Sequence, residues 1–91
     1  MAGKYEYEWD SGNIGHATRH GVTVAEIEEV MENNPTFLQS YRRGGEERER
    51  YIGVTDAGRI VEVAATLRGG RYRVIAAFPA KKRRRSLYRG Q

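Results

Sequence analysis

The spacing of apolar positions changes along the chain, and each change marks an element. Tyr5-Glu6-Tyr7-Glu8-Trp9 alternates aromatic and acidic residues, the period of a half-buried strand. Asp10 follows where an N-cap belongs and predicts a short helix to about His20. Gly12 and Gly15 weaken that helix, so packing must hold it, and Gly21 is placed to end it. Thr23-Val24-Ala25-Glu26 is a capping box, a Thr that accepts from the N3 amide and a Glu that reaches back. The helix it opens puts Val24, Ile27, Val30 and Met31 on one stripe, and Asn33-Asn34-Pro35 stops it. After Pro35 the period becomes two. Strands are predicted at Thr36–Arg42, Glu47–Thr55, Arg59–Leu67 and Arg71–Phe78, separated by Gly44-Gly45, Asp56-Ala57-Gly58 and Gly69-Gly70. Pro79 suits the first turn of a last helix that runs to about Tyr88. The pattern is that of one α+β domain, residues 1–91: an antiparallel β-sheet of about four strands, two N-terminal helices and a basic C-terminal helix or tail, 79–91.

The last hairpin sorts the sheet into faces. A two-residue Gly69-Gly70 turn pairs Arg68 with Arg71 and Leu67 with Tyr72, and so on outward. One face then collects Val61, Val63, Ala65 and Leu67 with Tyr72, Val74, Ala76 and Phe78, all apolar or aromatic. The other collects Glu62, Ala64, Thr66 and Arg68 with Arg71, Arg73, Ile75 and Ala77. A slip of one residue would mix the sets, so the register is well specified. Read the same way, the Asp56–Gly58 turn sets Ile52 opposite Val61 on the core face and Tyr51 opposite Glu62 on the polar face. That polar face presents Tyr51, Glu62, Arg68, Arg71 and Arg73 together.

Charge sharpens this picture. The chain has 91 residues and a net charge of +4, unevenly spread. Residues 1–34 set Lys4 and Arg19 against Glu6, Glu8, Asp10, Glu26, Glu28, Glu29 and Glu32. The tail carries Lys81, Lys82, Arg83, Arg84, Arg85 and Arg89 with no acid. An acidic front and a basic back imply a polarised surface whose partner is a polyanion. Guanidinium forks suit phosphate oxygens and an aromatic ring suits a base, so RNA is the expected ligand. Tyr51, Arg68, Lys81, Lys82, Arg83, Arg84 and Arg85 are the candidate RNA-binding residues.

Cysteine is absent, which excludes disulfides and thiolate metal sites. No apolar run is long enough to span a membrane, and the N-terminus lacks the apolar run of a signal peptide, so a cytoplasmic location is expected. His16 and His20 lie one helical turn apart. Without a third His or a Cys, that spacing predicts a structural or helix-terminal role for both and no metal site. No cofactor is expected, since no phosphate-cradling glycine loop is present; no serine elbow or paired-carboxylate signature is present either.

Tyr7-Glu8-Trp9-Asp10, with Asn13, His16, Arg19-His20-Gly21-Val22-Thr23 and Glu26, resembles the opening of BrnT-type toxins. The likeness continues through Gly53, Asp56–Gly58 and Arg71-Tyr72-Arg73-Val74-Ile75-Ala76-Ala77, and ends in a basic segment with a late tyrosine, Tyr88. It implies a RelE-like fold and a toxin of a type II toxin–antitoxin pair that cleaves RNA. It also implies a small ribbon-helix-helix antitoxin as partner, with the ribosome as a further candidate and no membrane. The chain departs from the family pattern in two places. Ala76-Ala77-Phe78 stands where Ser/Thr-Ala-Arg is usual, and Arg84 stands where an acid is common.

The ribonuclease that this resemblance implies needs no metal. A ribose 2′-OH attacks the adjacent phosphate, arginines stabilise the developing charge, and an acid–base pair moves protons. Arg71 and Arg73 are the expected clamp, with Glu62 or Tyr88 as proton movers. Two alternatives stay open: a non-enzymatic RNA- or ribosome-binding protein derived from such a toxin, and a module that docks an acidic partner.

Overall fold

The computed structural model describes residues 5–89, so positions 1–4 and 90–91 of the expected domain and tail lie outside the described residues. The elements run α1 (Ile14–Thr18), α2 (Val24–Glu32), β1 (Thr36–Arg43), β2 (Glu46–Val54), β3 (Ile60–Arg68), β4 (Arg71–Pro79) and a 3-10 helix (Lys82–Leu87). The strands form one antiparallel sheet in chain order, the α+β arrangement read from the sequence. Gly69 and Gly70 have φ of +58° and +81°. Two successive left-handed residues make the type I′ turn whose twist matches its strands, and Gly44-Gly45 closes β1 to β2 likewise.

The β3–β4 register begins as expected, with Arg68 opposite Arg71, Leu67 opposite Tyr72 and Ala65 opposite Val74. A bulge then intervenes, and Ala64 meets Ala76 while Val63 meets Ala77. The extra residue, Ile75, inverts the alternation. Ala77 therefore joins Val61, Val63, Ala65 and Val74 in the core, and Ala76 and Phe78 move to the opposite face, contrary to the sequence expectation. The β2–β3 register also differs by one residue. Thr55 donates its N–H to the Arg59 carbonyl at 2.8 Å, and counting outward pairs Ile52 with Glu62 and Tyr51 with Val63. Tyr51 thus sits on the helix-covered face and Ile52 beside Glu62.

The capping box forms as expected: Thr23 Oγ1 accepts from Glu26 N–H at 3.1 Å, and Glu26 Oε1 accepts from Thr23 N–H at 3.0 Å. Ile27, Val30 and Met31 of α2 are buried with Ala17 of α1 and Val22 against Val61, Val63, Ala65, Val74 and Ala77. Gly53 permits the approach of α2, because a Cβ there would lie 2.9 Å from Val30 Cγ1 and 3.1 Å from Pro35 Cβ. The acids of α2 hold the N-terminal aromatics. Trp9 Nε1 donates to Glu28 at 2.8 Å and Tyr7 Oη to Glu32 at 2.9 Å. Burial and the Glu32 carboxylate push the Tyr7 phenol well above its ordinary range.

Three boundaries differ from the sequence reading. Tyr5–Trp9 makes one parallel bridge to β4, Tyr7 to Tyr72, rather than a full strand. Asp10 opens a turn whose carbonyl accepts from Asn13 and Ile14 N–H, and α1 starts only at Ile14. Pro79 ends β4, and the basic segment after it is a 3-10 helix.

Candidate nucleic-acid interface

Strand alternation and the bulge decide which side chains share the sheet face opposite α2. Among them are Tyr41 of β1, Glu46, Arg48 and Arg50 of β2, Glu62, Thr66 and Arg68 of β3, and Arg71, Arg73 and Phe78 of β4. Helix α1 packs against β4 and adds His16. Between them lies a groove of about 250 Å³ lined by His16, Glu46, Arg48, Thr66, Arg68 and Arg73. Glu46 organises two of the cations, accepting from Arg68 Nη2 at 2.9 Å and Arg48 Nε at 3.4 Å. The Arg68 hydrogen bond holds the Glu46 carboxyl below the usual carboxylate range. Arg73 is gripped end-on by Asp10, Nη1 to Oδ2 at 2.9 Å and Nη2 to Oδ1 at 3.1 Å. That pair raises Arg73 and lowers Asp10.

Farther along the same face, Glu62 has a side chain only 1% exposed. Arg84 closes over it with Nε to Oε2 at 2.6 Å and Nη2 to Oε1 at 3.1 Å, and Arg50 Nη2 stands 3.6 Å from Oε1. A carboxylate buried without partners costs several kcal/mol, on the order of 3–5. Glu62 therefore holds the basic segment across the sheet. The crossing ends at β1, where Arg89 N–H donates to Thr36 Oγ1 at 2.9 Å. Arg50 lies over the Phe78 ring at 5.7 Å, and His20 meets that ring edge-on at 6.2 Å.

The residues singled out in the sequence are only partly brought together. Arg68 and Arg73 line the groove. Arg71 shares their face but pairs with Glu6 at 3.6 Å. Glu62 and Arg84 bind each other. Lys81, Lys82, Arg83 and Arg85 are exposed along the tail, and Tyr88 is half-buried just after the 3-10 helix. Tyr51 stands apart on the other face, where its hydroxyl donates to Glu49 and its ring meets Phe37 and Tyr72 edge-on. Sequence reasoning missed Arg48, Arg50, Tyr41 and the groove position of His16. The arginines carry a signal, since Arg48, Arg50 and Ile52 alternate, but the register counted from the Asp56–Gly58 turn set Ile52 on the core face, and alternation would carry Arg48 and Arg50 with it. No sequence signal tells that α1 lies beside β4.

Fold and site together define a small α+β protein with a cationic sheet face framed by a basic C-terminal segment. Among the described residues, no helix is long and apolar enough to cross a membrane, and no group of three or more His, Cys, Asp or Glu could hold a metal ion. A family profile described as "Ribonuclease toxin, BrnT, of type II toxin-antitoxin system" matches residues 9–84, and the chain belongs to that family. Membership implies RNA as substrate and an antitoxin as partner. No curated protein matches the chain.

Proposed function

We propose that this toxin is a metal-independent endoribonuclease that inhibits translation by cutting RNA at the arginine-lined groove. The observation that carries the reading is the gathering of Arg48, Arg68 and Arg73 around one cavity beside His16. In the reaction the 2′-oxygen forms a bond to the adjacent phosphorus and the P–O5′ bond breaks. Negative charge builds on the non-bridging oxygens, where Arg68 and Arg73 stabilise it. A proton leaves the 2′-hydroxyl and one reaches the departing 5′-oxygen. His16 is the groove residue suited to that transfer, since one imidazole ring carries both a proton donor and a proton acceptor. Glu62 has both oxygens committed to Arg84, so its part is to hold the basic segment. The exposed tail cations extend the phosphate track and suit ribosomal RNA as well. The antitoxin in this reading is a ribbon-helix-helix protein whose acidic segment covers the Arg68–Arg73 face and the tail.

A second reading, RNA or ribosome binding without cleavage, draws on the engagement of Glu62 by Arg84. One experiment separates the two. The purified protein should cleave RNA in EDTA and leave 2′,3′-cyclic phosphates, and a 2′-deoxy group at the cleaved position should block it. Tight binding without cleavage, with and without ribosomes, would establish the second reading instead.

A further inference from the structure

The cations of the groove are held unequally. The side chain of Arg68 is 55% exposed, whereas that of Arg73 is 17% exposed. The Asp10–Asn13 turn lies against Arg73, and Glu8 Oε2 stands farther off, 3.9 Å from Nη1. Asp10 Oδ1, which accepts from Arg73 Nη2, also accepts Gly12 N–H at 2.8 Å, so the backbone orients the carboxylate that grips the guanidinium. Asn13 ties the turn down, with Oδ1 accepting from Asp10 N–H at 2.9 Å and Nδ2 donating to Val74 O at 3.1 Å. The guanidinium runs against the turn itself, because a Cβ on Gly12 would lie 2.9 Å from Arg73 Nη2.

We infer that Asp10 is a positioning residue for cleavage, acting through Arg73, an inference that rests on the ribonuclease reading above. A guanidinium has five N–H donors in a planar fork, and the end-on grip of Asp10 uses one hydrogen from each terminal nitrogen. Among the described residues no hydrogen bond engages the Arg73 Nε–H, which leaves that edge as the donor for a phosphate oxygen. A donor already fixed in direction needs no reorganisation when charge develops, so its effect falls on the transition state. Asp10 also has a cost, since its negative charge opposes RNA in the ground state. Its two effects therefore have opposite signs: it weakens binding and speeds turnover.

Asp10→Asn tests this by removing the charge at constant size. RNA should bind as tightly as to the parent protein or a few-fold more tightly, while kcat falls about 10- to 100-fold. Asp10→Glu should recover part of the kcat. In ¹⁵N NMR the Arg73 Nε–H signal should be sharp in the parent protein and broadened by Asp10→Asn. If Asp10→Asn does not fold, Gly12→Ala displaces Nη2 with Asp10 intact and should lower kcat in the same way. An unchanged kcat, or an unchanged Arg73 signal, in an active protein overturns the role of Asp10 alone. Loss of affinity and kcat together with lowered melting temperature would reduce Asp10 to a structural part. A parent protein inert on RNA, by contrast, overturns the ribonuclease reading and the inference with it.

Discussion

Replacing Asn13 by alanine tests how the N-terminal segment is joined to the sheet. The residue is 4% exposed, and its side chain makes three hydrogen bonds to backbone: from Asp10 N–H, and to the carbonyls of Glu8 and Val74. It bridges positions 61 residues apart in the chain, and the Val74 carbonyl lies beside the bulge in β4. Each such bond contributes about 0.5–1.5 kcal/mol net, and more where a buried partner is left unsatisfied. Asn13→Ala should therefore cost roughly 2–4 kcal/mol. For a domain of this size that is a fall in melting temperature of roughly 10–25 °C. Urea denaturation followed by Trp9 fluorescence measures it, since Trp9 is the chain's one tryptophan and packs at the same junction. The midpoint should drop with little change in slope. Asn13→Asp, which keeps the acceptor but turns a second oxygen toward two carbonyls, should be no better than alanine. A loss below about 0.5 kcal/mol would refute the claim that Asn13 joins segment to sheet.

Gly53→Ala should destabilise by about 1–3 kcal/mol through overpacking against Val30 and Pro35, whereas Gly15→Ala, with open space around it in α1, should stabilise by about 0.5–1 kcal/mol. Replacing Lys81, Lys82, Arg83 and Arg85 with glutamine, while keeping the Arg84 that covers Glu62, should leave the fold intact. In binding assays with single-stranded RNA, the slope of log affinity against log salt should flatten by about 0.7 for each cation that meets a phosphate. Acid titration of stability should expose three carboxylates. Asp10 is held low by Arg73, Glu26 first by the Thr23 N–H and Glu46 by Arg68. Their folded-state values lie below the unfolded ones near pH 4, so their stabilisation is present above that pH and is lost as pH falls through the folded values. Unfolding free energies of the parent protein and Glu26→Gln should accordingly converge toward low pH.

Local chemistry was legible in the sequence wherever a few neighbouring residues decide the outcome. The Thr23–Glu26 capping box, the α2 stripe, the four strands and the Gly69-Gly70 turn all depend on short-range geometry, and the structure agrees with them. So does the inner part of the last hairpin, because pairing counted from a two-residue turn has one solution until something interrupts it. The bulge at Ile75 is such an interruption. It adds one residue to β4 alone, and no pattern of apolar positions marks it, since Ile75, Ala76 and Ala77 fit either face. The same ambiguity surrounds Tyr51 and Ile52, both apolar enough for the core, so a one-residue difference at the Asp56–Gly58 turn reassigns Arg48 and Arg50. The site was therefore half visible. Arg68 and Arg73 follow from the turn, and the basic tail follows from composition. That Asp10 grips Arg73, that Glu62 is buried under Arg84 and that His16 faces the groove depend on contacts between segments far apart in the chain, and only tertiary packing decides those.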